Sequence, residues 1–222
     1  MYQYIKRVLD LIMAVILMII FLIPMIIIGI LIKLDSKGPV FFKQERTGKN
    51  GKIFKVYKFR SMAIDNDVHD FKKKDQHTKV GTVLRKLSLD ELPQLINIIR
   101  GEMSFIGPRP WIPDYYENMT EYQRHRNDVL PGITGLAQAK GRNNINILKK
   151  INYDLEYVKN YSFIQDVKIF FLTIKTVLSK EGADAGKGTI QTELETLIAN
   201  EKEYQNNKDL ENNDSERARQ QI

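Results

Sequence analysis

Residues Leu11 to Ile32 form 22 consecutive uncharged positions, nearly all apolar, with Lys6 and Arg7 before them and Lys33 after. As a straight helix this run is roughly 33 Å long, enough to cross the hydrocarbon core of a bilayer. A helix apolar on every side must be covered by protein or by lipid. It is too long for a signal-peptide core, and no small-residue cleavage site follows it. Pro24 lies inside the run and should kink or break the helix. Both flanks are basic, so charge bias sets no orientation. Two arrangements stay open on this stretch. One is an ordinary bitopic anchor; the other dips into the bilayer, bends at Pro24 and returns to the same face. Asp10 would sit at headgroup level in either.

The rest of the chain narrows what such an anchor serves. At 222 residues there is one domain, with or without attachments. The absence of cysteine excludes disulfides and thiolate metal sites and fits an intracellular location. The net charge of +7 is uneven. Residues 1–180 carry 29 basic and 17 acidic side chains, whereas the remainder carries five basic and ten acidic. A basic body beside a membrane segment points to anionic lipid or phosphorylated substrates. No recognisable RNA- or DNA-binding motif is present, so nucleic acid is not an expected partner.

The chemistry concentrates in Arg85-Lys86-Leu87-Ser88-Leu89-Asp90-Glu91-Leu92-Pro93-Gln94. Asp90 and Glu91 precede a proline and the apolar residues Leu95, Ile96, Ile98 and Ile99. Proline is tolerated in the first helical turn, which places the carboxylates at or just before a helix N-terminus. That end favours ionised carboxylates and gathers phosphate. An acid among cations suits phosphate chemistry, as nucleophile or as metal ligand. A capping box from Ser88 to Glu91 explains the same residues without any chemistry. It would put Pro93 at the fifth helical position, where a hydrogen bond is lost.

Around this stretch the pattern is legible in pieces. Val40–Gln44 and Lys52–Arg60 read as strands joined by a turn containing Asn50-Gly51. Lys58 and Arg60, at the hairpin's end, could face a phosphate or could be solvated. Residues 61–80 read as an exposed loop or short helix. His69 and His77 have no partner at metal-ligand spacing and read as surface residues. Prolines on both sides of Arg109 would limit the entropy lost when it grips an anion. Residues 114–128 read as a polar helix. Gln138 to Asn143, including Gly141 and Arg142, form a loop that could hold a nucleotide phosphate, although no P-loop is present. Residues 145–160 and 163–180 read as helices. The apolar stripe Ile164, Val167, Phe171, Ile174 and Leu178 suits either a membrane interface or a protein core. The chain beyond Gly182 reads as a mobile polar tail with one isolated helix over 189–204.

Lys58-Phe59-Arg60-Ser61-Met62, Arg85 to Gln94, Met103 to Pro110 and Pro131 to Gln138 stand in an order that resembles the monotopic phosphoglycosyl transferases, also called the bacterial sugar transferase family. The resemblance runs from residue 1 to about 186 and implies an enzyme. Such enzymes move a phospho-sugar from a UDP-sugar to a polyprenol (undecaprenyl) phosphate and release UMP. They do so at the cytoplasmic face of the bacterial inner membrane. Asp90 would be the nucleophile and form a covalent phosphoglycosyl adduct. Magnesium would be the cofactor, with Asp90 and Glu91 as its ligands. Lys58, Arg60, Arg85, Arg109, Gln138, Gly141 and Arg142 would contact substrate, and downstream glycosyltransferases would take the product. The resemblance also implies a re-entrant helix broken at Pro24, although Ile23 stands where the family often has a serine.

The expected fold is mostly α with a small β-hairpin: a monotopic domain with a re-entrant helix and interfacial amphipathic helices. The expected division is a membrane helix over 1–36, a catalytic domain over 37–186 and an acidic tail over 187–222. Two rivals remain. A membrane-anchored, magnesium-dependent nucleotide-sugar hydrolase would release UMP without acceptor. A non-catalytic membrane scaffold would tolerate loss of Asp90.

Overall fold

A computed structural model describes residues 1–63, 77–141, 145–178 and 190–220, with residue 178 and residues 209–220 described by backbone alone. The chain forms two compact units, one of Met1–Arg46 with Ile53–Phe105, the other of Thr47–Lys52 with Ile106–Ile222. The apolar helix and the carboxylate pair belong to the same unit.

In the first unit, helix α1 (Tyr2–Asp35) runs through Pro24 without ending. At 34 residues it is about 51 Å long. It is the one helix among the described residues long and apolar enough to cross a membrane. A single stripe, Lys6, Asp10, Ala14, Met25, Ile28 and Ile32, is buried. Ile19, Ile23 and Ile30 are among the many exposed apolar side chains around it. That much uncovered apolar surface marks a membrane-associated helix.

Both ends of α1 are held by polar groups of the same unit. Near its start, the Arg7 guanidinium donates to the carbonyls of Ile98 and Ile99. Asp10 Oδ1 accepts from the Phe105 N–H at 3.4 Å. Near its end, Asp35 Oδ2 accepts from the Val80 N–H at 2.9 Å. Arg60 donates to Ser36 O at 2.8 Å and to Lys37 O.

The expected hairpin is present. Strand β1 (Phe41–Thr47) pairs with β2 (Ile53–Phe59). Asn50 and Gly51 adopt positive φ at its turn, 54° and 76°, which explains the Asn-Gly signal. Helix α2 (Lys79–Lys86), which the sequence pattern did not isolate, is capped by Thr78 Oγ1 accepting from the Gly81 N–H. Only glycine fits at 81, because a Cβ there would lie 2.0 Å from the Ser61 carbonyl oxygen. Helix α3 (Gln94–Arg100) ends at Gly101 in the left-handed conformation.

The second unit begins where the short strand Ser104–Ile106 closes. The expected helix over 114–128 is instead α4 (Pro113–Glu117) and α5 (Glu121–Arg124). A Thr120–Gln123 capping box restarts the chain between them. Helices α6 (Leu136–Gly141), α7 (Ile147–Lys159) and α8 (Phe163–Leu178) follow. Arg126, 1% exposed, lies over the Trp111 ring and donates twice to Asp154. In α8 the inward residues are Asp166, Ile169, Thr173 and Thr176: Asp166 and Ile169 are buried, and the threonines bond Thr134 and Ala139 O. The apolar stripe with Ile164, Phe171 and Ile174 is exposed, so it does not serve the core of this unit.

The C-terminal region departs furthest from expectation. Helix α9 (Ile190–Gln220) is longer than foreseen, and its first turns are neither isolated nor a loose tail. Leu197 is 0% exposed and joins Trp111, Tyr115, Met119, Ile147 and Ile151 in one cluster. Glu193 accepts from Tyr115 Oη and pairs with Lys150 at 2.6 Å. Gln123 donates to Asn200.

Candidate active site

Asp90 and Glu91 occupy a single 3₁₀ turn, Leu89–Glu91, between α2 and α3. Ser88 enters this turn with φ of 57° and makes no capping hydrogen bond. Pro93 caps α3, whose first residue is Gln94. The capping-box reading is thereby excluded: Ser88 does not cap the turn, and α3 starts only after Glu91. Leu89 and Leu92 bracket the pair and join the cluster of Met25, Ile28, Ile32, Phe59 and Leu84. The turn that carries both carboxylates is therefore packed directly against the membrane-associated helix.

Lys58 Nζ lies 2.7 Å from Glu91 Oε1, with both side chains mostly buried. Strand alternation puts Lys58 on the same face as Phe54 and Val56, which are buried. The strand is fixed against α3 by Asn97, which is 0% exposed. Asn97 accepts from the Tyr57 N–H at 3.0 Å and donates to Lys55 O at 2.8 Å. It also donates to Glu102. A lone Asn in the run Leu95-Ile96-Asn97-Ile98-Ile99 was the available signal for this clamp, and sequence reasoning passed over it.

Burial pushes the Asp90 carboxyl above the ordinary value of 3.8. Lys58 pulls it down, Glu91 pushes it up, and Arg85 pulls it down less than Lys58 does. The expectation that a helix N-terminus favours the ionised acid is revised, because burial outweighs the favourable groups. The N-terminus of α3 lies beyond Asp90, and Lys58 is the larger favourable charge. A carboxylate whose pKa is raised by desolvation is more basic, and so more nucleophilic, than one in water, while the cations beside it keep the ionised form accessible.

The other anticipated residues divide between the units. Arg85 lies exposed in the last turn of α2, in the first unit. Arg60, expected at a phosphate, is 5% exposed and committed to the carbonyls of Ser36 and Lys37 and to Ser36 Oγ. These contacts tie down the end of α1. Arg109, Gln138 and Gly141 belong to the second unit. Arg109 is exposed between buried Pro108 and Pro110. Gln138 donates to Ile133 O, while its Oε1 is buried without a hydrogen bond among the described residues. A Cβ at Gly141 would press on Ile145 at 2.7 Å. Arg142 and His69 lie outside the described residues.

The donor set fits a hard cation. Magnesium takes oxygen ligands, commonly one or two carboxylates completed by water and substrate phosphates. Asp90 and Glu91 offer adjacent carboxylates, and no cluster of three acidic or imidazole groups forms among the described residues.

The fold defines a membrane-associated protein with two adjacent carboxylates in a turn packed against its apolar helix. The model of the bacterial sugar transferase family matches residues 1–180, and the chain belongs to that family. Among its relatives, an uncharacterized sugar transferase, EpsL, of Bacillus subtilis is 45% identical over 179 residues, 80% of this chain and 89% of the relative. A UDP-N-acetylgalactosamine-undecaprenyl-phosphate N-acetylgalactosaminephosphotransferase of Aeromonas hydrophila is 41% identical over 194 residues, 82% of this chain and 45% of the relative. A UDP-glucose:undecaprenyl-phosphate glucose-1-phosphate transferase of Escherichia coli is 42% identical over 184 residues, 78% of this chain and 40% of the relative. The chain thus spans less than half the length of the latter two. Helix α9 lies beyond the matched region.

Proposed function

We propose that this protein transfers a sugar-1-phosphate from a UDP-sugar to a polyprenol phosphate, releasing UMP, at the cytoplasmic face of the bacterial inner membrane. The observation that carries the reading is the Asp90–Glu91 turn, paired through Lys58 and seated by Leu89 and Leu92 on the membrane-associated helix. The relatives' names support the same substrates.

In the proposed mechanism, an Asp90 carboxylate oxygen attacks the sugar-linked phosphorus. The bond from that phosphorus to the UMP oxygen breaks, and UMP departs with the electron pair. A phosphate oxygen of the polyprenol phosphate then attacks the same phosphorus and frees Asp90. Two displacements let a soluble donor and a lipid acceptor use one site in turn. Magnesium, when bound, would offset the diphosphate charge that otherwise repels the nucleophile. Lys58 holds Glu91 and lowers the cost of ionising Asp90, and Arg85 would receive the phosphate.

The topology proposed is re-entrant, with α1 dipping into one leaflet and returning. Supporting this, Arg7, Asp10, Asp35 and Ser36 are all held by groups of one folded unit. A bitopic helix would carry one of these ends to the opposite face. The exposed apolar stripe of α8 supports an interfacial role for that helix.

The test is UMP release from UDP-sugars by purified Asp90→Asn. Wild-type enzyme should release UMP continuously only when polyprenol phosphate is present, and the variant should release none above background. Continuous acceptor-independent release would indicate a hydrolase, and an active variant would overturn the nucleophile.

A further inference from the structure

His77 stands beside the candidate site and takes no part in the chemistry described above. Its Nε2 lies 3.0 Å from Nη1 of Arg85, and its Nδ1 lies 3.4 Å from the Ser61 carbonyl oxygen. Arginine can only donate, so Nε2 accepts and the ring proton sits on Nδ1, toward Ser61. The ring therefore links the chain just after β2 to the last turn of α2.

The backbone beneath the ring is well fixed. His77 pairs with Met62 in an isolated antiparallel bridge. The neighbouring Thr78 N–H donates to Ser61 O at 3.2 Å. Gly81 packs so tightly on Ser61 that no side chain fits. Arg85 itself is exposed, at the end of a short helix. An exposed arginine loses considerable rotamer freedom when it grips an anion. Anchoring one nitrogen beforehand removes part of that loss and leaves other N–H donors of the guanidinium for a ligand. A carboxylate could anchor it too, but would cancel the charge that attracts phosphate. A neutral imidazole anchors without cancelling.

We propose that His77 is a positioning residue that pre-sets the Arg85 guanidinium for the sugar-linked phosphate of the donor. The proposal rests on the phosphate role given to Arg85 above.

The experiment measures UDP affinity calorimetrically, with magnesium present, for the detergent-solubilised full chain. UDP carries the relevant phosphate and needs no knowledge of the sugar. Arg85→Ala should weaken UDP binding about tenfold or more, as loss of a charge-assisted contact does. His77→Leu should weaken it about three- to tenfold, the worth of one ordinary hydrogen bond. His77→Gln, whose amide oxygen can accept from Arg85, should restore most of the affinity. In the double variant, His77→Leu should add nothing to Arg85→Ala, since coupling through one partner is non-additive. Thermal midpoints of all variants establish that they are folded. Unchanged affinity in Arg85→Ala would overturn the phosphate role of Arg85. If Arg85→Ala weakens binding but His77→Leu does not, or does so equally in both backgrounds, the positioning role is wrong and the phosphate reading stands.

Discussion

Asp90 carries opposing demands. Its pKa is raised by burial, so the folded protein binds this proton more tightly than the unfolded chain does. Protonation therefore favours folding, and the ionised form costs stability as pH rises from the ordinary value of 3.8 through the raised one. Asp90→Asn should abolish turnover and yet raise the thermal midpoint, by more at pH 7 than at pH 4. A lower midpoint at pH 7 would show that burial does not dominate at this site. Lys58→Met removes the charge that most favours Asp90 ionisation and strands Glu91. Turnover at pH 7 should fall about tenfold or more, an effect of about 1.4 kcal/mol, and the acid limb of kcat/KM should move to higher pH. An unmoved limb would detach Lys58 from Asp90. The acid pair was legible because Pro93 after two carboxylates admits few local structures. Arg60 was not: a basic residue at a strand's end reads alike whether it meets a phosphate or the carbonyls of Ser36 and Lys37.

Among the elements, the hairpin announced itself through Asn50-Gly51, because positive φ on two residues in a row restricts the choice of side chain. Helix α2 did not. Only Gly81 and Leu84 are buried in it, and Val80, Thr82 and Val83 weaken its helical signal. The α9 packing was hidden for a similar reason: Leu194 and Leu197 are its contributions to the cluster, set in a polar sequence. Leu197→Ala should cost about 2–5 kcal/mol, read as a lower thermal midpoint of the full-length protein. No change would mean that α9 is dispensable to the second unit. Asn97→Leu should cost about 1–3 kcal/mol, since the Tyr57 N–H and Lys55 carbonyl lose their partner. Its midpoint should fall even though an apolar residue replaces a polar one in an apolar run.

For the whole molecule, membrane association was plain from 22 uncharged residues, but topology was not, because basic flanks on both sides set no orientation. Contacts at both ends of α1 are tertiary, and no periodicity encodes them. The chain lacks cysteine, so single cysteines at Gln3 and Lys37 can be labelled one at a time in intact cells. A re-entrant helix leaves both inaccessible to an impermeant maleimide until the inner membrane is opened. Labelling of one from outside would restore the bitopic anchor. The central claim concerns what the carboxylate does once donor arrives, and intact-mass analysis tests it most directly. Protein incubated with magnesium and a panel of UDP-sugars, without polyprenol phosphate, should gain the mass of one phospho-sugar with its cognate donor, and Asp90→Asn should gain nothing. UMP released steadily with no mass gain, or the same adduct on Asp90→Asn, would contradict covalent catalysis by Asp90.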